Sequence, residues 1–310
     1  MPSSIKYPKK YKPPSNTTIW NWWKGMSLIS GINLFIVSYV IYRVYNIKKN
    51  HRDACVIAAW LAFVYVVVCG FRSVLPRIDN SRICLFDSSI STPFVGRSVA
   101  TIAELSFIML IIICMTRLSF LVQSCSHYTS IPSLTTHLSL GAGALIIIAE
   151  ILSWTGCLTD YELWNAAEEL LWAIAASILL FGIILLYICA RECMHADSLR
   201  YILITTAVSI TAYIVFMLKI DVPMYIRKWK EREDTNRDGN MSWGEFSQDF
   251  KTTHKKGGSL FDRFRKMHRC DKVTDEYNVW KEDLPWFTAY FILAAWAAIL
   301  MCLWYINTFE

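Results

Sequence analysis

The sequence predicts an all-α fold, a polytopic transmembrane helical bundle of about seven spans. Of its 310 residues, 55% are hydrophobic and 14% are aromatic, which is more apolar than an ordinary soluble domain and indicates a bilayer as the solvent. The alternating pattern of membrane β-strands is missing, so a helical bundle is the fold that satisfies the backbone hydrogen bonds in lipid. We therefore expect apolar helices joined by short connections, with one long charged loop before the last helix.

Seven apolar stretches are long enough to cross about 30 Å of hydrocarbon as helices. They lie at 26–47, 54–71, 98–122, 136–156, 163–190, 200–219 and 286–306. The chain then divides into a basic N-terminal tail at 1–25, a six-span bundle at 26–219, a soluble loop at 220–285, and a seventh span with the C-terminus at 286–310. We expect the first span to serve as the insertion signal, because the polar tail has no apolar signal core.

The basic residues indicate partners and orientation. The net charge is +6, and many Lys and Arg residues lie beside the spans, which favours anionic lipid headgroups at the loop and disfavours nucleic acid. More of these cations lie on the side of the N-terminus, so we expect the N-terminus and the long loop to be cytosolic. The sequons at Asn16 and Asn240 lie on that same side, and glycans on either would invert this orientation.

The ten cysteines predict packing and not a disulfide scaffold. Four of them fall inside apolar spans, and none forms a CxxC pair, so we expect buried small hydrophobic side chains at Cys55, Cys69, Cys114 and Cys302. Cys189 and Cys193 are one helical turn apart, a spacing compatible with palmitoylation or a partial metal site, but packing is favoured there too. Trp286 is expected to be an interfacial anchor.

The stretch DTNRDGNMSWGE at 234–245 has the spacing of a calcium loop. Ca²⁺ takes oxygen ligands from positions 1, 3, 5, 7, 9 and 12 of a twelve-residue loop with glycine at position 6. Here those ligands are Asp234, Asn236, Asp238, Asn240, Ser242 and Glu245, and Gly239 is at position 6. The stretch resembles the EF-hand loop, and the resemblance implies Ca²⁺ as a cofactor. The alternative is an ordinary acidic turn.

A basic amphipathic helix is predicted at 260–269, after the calcium loop. Leu260, Phe261, Phe264 and Met267 share one face of it. Such a helix can lie on anionic lipid or be held by a calcium-bound loop, and packing against neighbouring loops is the alternative. If the loop binds Ca²⁺, we expect the ion to change how this helix meets the bundle.

Several carboxylates lie inside the predicted spans, where a charge costs about 2.5 to 3.5 kcal/mol on insertion scales. Glu104 is in the third span and Glu150 in the fourth, while Glu168 and Glu169 share one face of the fifth with Asn165. Arg97 precedes Glu104 by two turns on nearly the same stripe. Candidate counter-charges for these acids are Arg97, Arg72 and Lys219.

The sequence leaves three functions open. The first is a calcium-responsive multi-pass membrane protein. The second is a proton-coupled transporter or a membrane-embedded enzyme that uses the intramembrane carboxylates, and the third is a scaffold in which the polar residues only hold helices together. The stretches 72–105 and 219–229 also resemble parts of uncharacterised polytopic membrane proteins, which implies no activity.

Overall fold

A computed structural model describes residues 17–46, 49–125, 130–193, 197–234 and 260–309. Seven of its helices are long and apolar enough to cross a membrane, as the sequence predicts. The first five are α1 (Thr17–Tyr45), α2 (Lys49–Val74), α3 (Pro93–Gln123), α4 (Ser130–Thr159) and α5 (Glu162–Ala190). The predicted calcium loop at 234–245 lies outside the described residues apart from Asp234, the last residue of a helix.

The sixth and seventh long helices each contain a π-helical segment. The sixth consists of α6 (Asp197–Phe216), π1 (Met217–Asp221) and α7 (Val222–Asp234). The seventh consists of α10 (Asp283–Thr288), π2 (Ala289–Ala294) and α11 (Ala295–Asn307). The remaining described elements are α8 (Leu260–Lys266), α9 (Tyr277–Trp280) and three two-residue strands, β1 (Arg77–Ile78), β2 (Ile83–Cys84) and β3 (Lys272–Val273).

The helices pack mainly against their neighbours in sequence, from α1 on α2 to α5 on α6, and α11 packs on both α2 and α3. One apolar core joins α1, α2 and the seventh helix through residues such as Val40, Ala62 and Ile299. A second joins α3, α4, α5 and α6 through residues such as Ile146 and Leu186. These two cores fix the positions of the helices that carry the polar residues described below.

The sixth helix is longer than the sequence predicts, because the expected span ended at 219 and the helix continues to Asp234. The π1 segment ends just before Pro223. Proline has no backbone N–H and disturbs the regular hydrogen bonds of the preceding turn, which favours a widened turn there. The residues expected to open the soluble loop are therefore helical and pack against α5.

The connection between α2 and α3, residues 75–92, forms a cap that we call the roof. Its strands β1 and β2 pair antiparallel, and β3 from the long sixth connection adds to β2 in parallel. The roof is tied down by a disulfide between Cys84 and Cys270 and by Arg82, whose Nε donates to Asp271 Oδ2 at 2.7 Å. The amphipathic helix, seen as α8, packs beside α3, with Met267 fully buried and the Phe264 ring 5.1 Å from that of Phe94.

The prediction that the cysteines only pack as small hydrophobic side chains is wrong for four of them, which form two disulfides. Cys84 pairs with Cys270, and Cys125 pairs with Cys193. These pairs are 186 and 68 residues apart, so no local spacing could signal them. The four cysteines expected to pack inside spans are free and buried, as is Cys189. The two disulfides lie at opposite ends of the bundle and therefore do not distinguish its two orientations, and the cytosolic orientation stays a prediction.

Candidate functional site

Arg97 lies at the centre of a buried polar cluster between α3, α4 and α5. Its Nη2 donates to Glu104 Oε2 at 2.5 Å and to Glu150 Oε2 at 2.8 Å. Its Nη1 lies 3.7 Å from Glu168 Oε1. Each of these four residues is at most 6% exposed. One guanidinium therefore joins carboxylates from three helices in a site that is shielded from water. We call these four residues the Arg97 cluster.

Neighbouring side chains hold the carboxylates of this cluster in place. Thr101 Oγ1 donates to Glu150 Oε2 at 2.6 Å, and the Tyr290 hydroxyl donates to Glu104 Oε1 at 3.2 Å. Asn165 Nδ2 donates to Glu168 Oε2 at 3.3 Å. The second oxygen of Glu150, Oε1, is buried without a hydrogen-bond partner. The cluster therefore keeps unused acceptor capacity, which is suited to binding a proton or another donor.

A second group of charges comes from the roof and the end of α2. Arg72 Nη2 donates to Asp79 Oδ2 at 2.9 Å, and Arg77 Nε lies 3.6 Å from Asp79 Oδ1. Arg77 Nη1 donates to the carbonyl oxygen of Ile90 at 2.9 Å. The Arg77 side chain is fully buried, and this burial lowers the pKa of its guanidinium to about 10. The roof thus covers this end of the bundle with a layer of paired charges.

The third group lies on the sixth and seventh helices. Trp286 Nε1 donates to Asp221 Oδ2 at 2.9 Å, and Lys228 Nζ donates to Asp283 Oδ1 at 3.0 Å. Asp221 is the last residue of π1 and is 1% exposed. Trp286 therefore binds a buried acid, where the sequence predicted only an interfacial anchor.

A cavity of about 70 Å³ lies beneath the roof and between these three groups. This space is enough for a few water molecules or a very small ligand. Six acids and four basic side chains line it, together with Asn165 and several aromatic rings. The acids are Asp79, Glu104, Glu162, Glu168, Glu169 and Asp283, and the bases are Arg72, Arg77, Arg97 and Lys228. The lining therefore carries more potential negative charge than positive charge.

Glu104, Glu150 and Glu168 are also close enough to hold a metal ion, since one oxygen from each lies within 4.8 Å of the others. However, Arg97 contacts all three carboxylates. A metal ion at that point would have to compete with a guanidinium that is already bound. The geometry therefore favours Arg97 as the resident cation of the cluster.

The structure brings together six of the seven residues predicted for an intramembrane polar site. Those six are Arg97, Glu104, Glu150, Asn165, Glu168 and Glu169, which all lie in or beside the cavity. Lys219 is exposed and does not line it, and Lys228 lies there instead. The sequence reasoning also missed Asp79, Asp221, Asp283 and Tyr290. Two features of the sequence could have indicated such residues. One is an acid at the end of an apolar span, as at Asp221, and the other is a group of charges beside the end of a span, as at Arg77.

No protein-family model, curated protein or solved structure matches this chain. The chemistry of the site therefore has to be inferred from its own residues.

Proposed function

We propose that this chain is a polytopic membrane protein, and that it is a proton-coupled transporter whose proton site is the Arg97 cluster. The surface of the seven helices supports the first part, because large apolar side chains face outward along them. Examples are Phe35 at 77%, Leu293 at 68% and Phe181 at 52% exposed. Such surfaces are rare on soluble monomers and are the rule where lipid covers the protein.

The charge balance of the Arg97 cluster is the observation that carries the transport proposal. Three carboxylates face one guanidinium, so full ionisation would leave two uncompensated negative charges in a buried site. Uncompensated buried charge is strongly unfavourable, and bound protons are the simplest means of removing it. Because the cluster adjoins a cavity, those protons have a route to exchange with a substrate or with water.

The distribution of polar groups fits a transporter with access from one end. The cavity lies under the roof, at the end of the bundle where α1 begins. The opposite half of α3 to α6 packs apolar residues such as Leu118, Val122 and Leu186. Transport would require that half to open, and the π-helical segments in the sixth and seventh helices are suitable points for such a change, since π-segments often occur at functional sites.

The proton site can be tested by infrared spectroscopy of the purified protein. We expect the difference spectrum between pH 5 and pH 8 to contain the C=O band of a protonated buried carboxyl. In Glu104→Gln this band should shrink or shift, because the cluster loses one carboxylate. Glu192→Gln is the control, since Glu192 is exposed at the other end of the bundle. If the spectra of wild type and Glu104→Gln coincide, the Arg97 cluster does not exchange protons in this range.

The calcium loop supports a second proposal, carried by the complete set of ligands from Asp234 to Glu245 in the sequence. We propose that the long loop binds Ca²⁺ and makes the protein calcium-responsive. Titration calorimetry on the full-length protein should give saturable heat with CaCl₂, and Glu245→Gln should weaken binding at least tenfold by removing the bidentate ligand. Glu282→Gln is the matched control, and equal heats for both variants would refute the site.

A further inference from the structure

The amphipathic helix α8 is fastened to the roof end of the bundle. The backbone N–H of Phe94, at the start of α3, donates to the carbonyl oxygen of Met267 at 3.0 Å. The Phe94 ring lies 5.1 Å from that of Phe264, and α8 also packs against α4. The chain directly after α8 is held by the disulfide from the roof to Cys270. The bundle therefore determines where α8 lies.

The lengths of α3 and α4 place α8 at the level of the lipid headgroups. These helices have 31 and 30 residues, so each is about 45 Å long, close to the thickness of a bilayer with its headgroup layers. Phe94 is the second residue of α3, and its ring lies 6.1 Å from that of Trp154, in the last two turns of α4. A helix that contacts Phe94 is thus near the boundary between headgroups and acyl chains.

Packing against the bundle uses only one side of α8. Met267 is fully buried and Arg263 is 8% exposed. On the other side, Phe261 is 74% and Phe264 40% exposed. Three exposed cations accompany these two rings, namely Arg265, Lys266 and Arg269. We call these two rings and three cations the α8 face.

The cations of the α8 face are little neutralised by the protein. Arg265 and Lys266 form no ion pair with any residue in the part of the chain that the structure describes. Arg269 Nε lies 3.9 Å from Asp271 Oδ1, but the other oxygen of Asp271 is held by Arg82 at 2.7 Å. The α8 face therefore carries a net positive charge.

Exposed rings among cations at this depth suit an anionic phospholipid better than other anions. Its phosphate and headgroup charge can accept from the guanidinium and ammonium groups, while the rings lie among the lipid chains. A soluble anion would leave Phe261 and Phe264 in water, and a zwitterionic lipid would leave the positive charge uncompensated. Only an anionic lipid satisfies both properties of the α8 face.

We propose that the α8 face binds anionic phospholipid of the surrounding bilayer, through Arg265, Lys266 and Arg269, with Phe261 and Phe264 among the lipid chains. This inference rests on the first part of the proposed function, that the chain is a polytopic membrane protein. It uses none of the residues of the Arg97 cluster or of the calcium loop, so it can fail or hold separately from both.

Native mass spectrometry of the full-length protein in detergent tests the proposal. The protein is titrated with dioleoylphosphatidylserine, which is anionic, and with dioleoylphosphatidylcholine, which is zwitterionic. We expect wild type to bind the anionic lipid at least about tenfold more tightly. Arg265→Gln/Lys266→Gln should weaken this binding about tenfold or more and leave phosphatidylcholine unaffected, because two cations that attract an anionic lipid are removed.

Two further variants separate the α8 face from general effects. Lys230→Gln/Lys281→Gln is the matched control, since it removes the same charge from exposed positions outside α8, and it should bind as wild type does. Phe261→Ser should weaken the binding of both lipids, because the ring contacts lipid chains whatever the headgroup.

The outcomes distinguish this inference from the proposed function. Equal binding of the two lipids by wild type overturns the anionic-lipid site but leaves the chain a membrane protein, and it does not bear on the infrared test. Equal weakening in the two double variants would mean that the whole basic surface attracts the lipid, which also overturns the site. Displacement of phosphatidylserine by equimolar inorganic phosphate would identify a soluble anion as the ligand. Failure to retain either lipid would count against the membrane proposal as well.

Discussion

Replacing Arg97 with methionine is expected to lower the free energy of unfolding by about 3–5 kcal/mol, the usual loss when one partner of a buried ion pair is removed. Methionine fills much of the volume of arginine but leaves Glu104, Glu150 and Glu168 together without their shared cation. The remaining carboxylates would repel one another in a site with little water. The change should appear as a lower thermal midpoint in detergent and a lower yield of monodisperse protein.

Arg227→Met is the matched control for this substitution. Arg227 also contacts two carboxylates, those of Glu231 and Glu282. Its side chain is 53% exposed, and exposed ion pairs contribute only about 0–1 kcal/mol, so we expect little change in the midpoint.

A double variant separates charge from packing at Arg97. In Arg97→Met/Glu104→Gln the cluster loses one of its three carboxylates, and the thermal midpoint should rise above that of Arg97→Met alone. If Arg97→Met instead destabilises the protein only by weakening packing, the effects of the two substitutions should add, and the second substitution should lower the midpoint further. A loss in Arg97→Met no larger than in Arg227→Met would mean that Arg97 does not hold the cluster together.

The helices were predictable because their signal is local. An apolar run of about 20 residues indicates a spanning helix without knowledge of any other part of the chain, and the structure contains seven long apolar helices. The ends of the helices depend on non-local contacts and were less predictable. The first helix begins at Thr17 and not at 26, since Trp20 and Trp22 donate to Asp275 and Thr288 far away in sequence.

The candidate site was predictable only where helical geometry determines it. Arg97 and Glu104 are two turns apart on one helix, so their pairing follows from spacing, and the structure contains it. The choice between Lys219 and Lys228 does not follow from spacing, because π1 changes which residues of the sixth helix face inward. Within π1, Asp221 is buried and Lys219 is exposed. Contacts between helices, such as that of Trp286 with Asp221, leave no trace in a single sequence.

Replacing Gly96 with alanine is expected to destabilise the protein by about 1–3 kcal/mol, although alanine is the better helix former. A Cβ at this position would overlap the Arg77 and Asp79 side chains, lying 2.8 Å from Arg77 Cδ and nearer still to Arg77 Nε and Asp79 Oδ1. Arg77 cannot move aside easily. Its side chain is fully buried, it donates to the Ile90 carbonyl, and its guanidinium lies 4.9 Å from the centre of the Phe71 ring.

Gly141→Ala is the matched control, because a Cβ at Gly141 would meet nothing within 4 Å. There we expect a gain of about 0.5–1 kcal/mol from helix propensity, opposite in sign to the change at Gly96. Limited trypsin cleavage then locates the damage. In Gly96→Ala, cleavage after Arg77 and Arg82 should accelerate relative to wild type, since the roof is held down by the contacts that the methyl group disturbs.

The two glycine variants together distinguish a local fault in the roof from general instability. Suppose that Gly96→Ala loses stability only because its helix packs less well. Trypsin should then cut the roof of the variant no faster than the roof of wild type, when each protein is digested at a temperature equally far below its own thermal midpoint. If instead the roof loosens, Asp79 should release Arg72, because both arginines share this carboxylate. The charged layer above the cavity would then open to water, while the Arg97 cluster below it remained paired. The added methyl group of Gly96→Ala would in this way increase the access of ligands to the cavity from that end of the bundle.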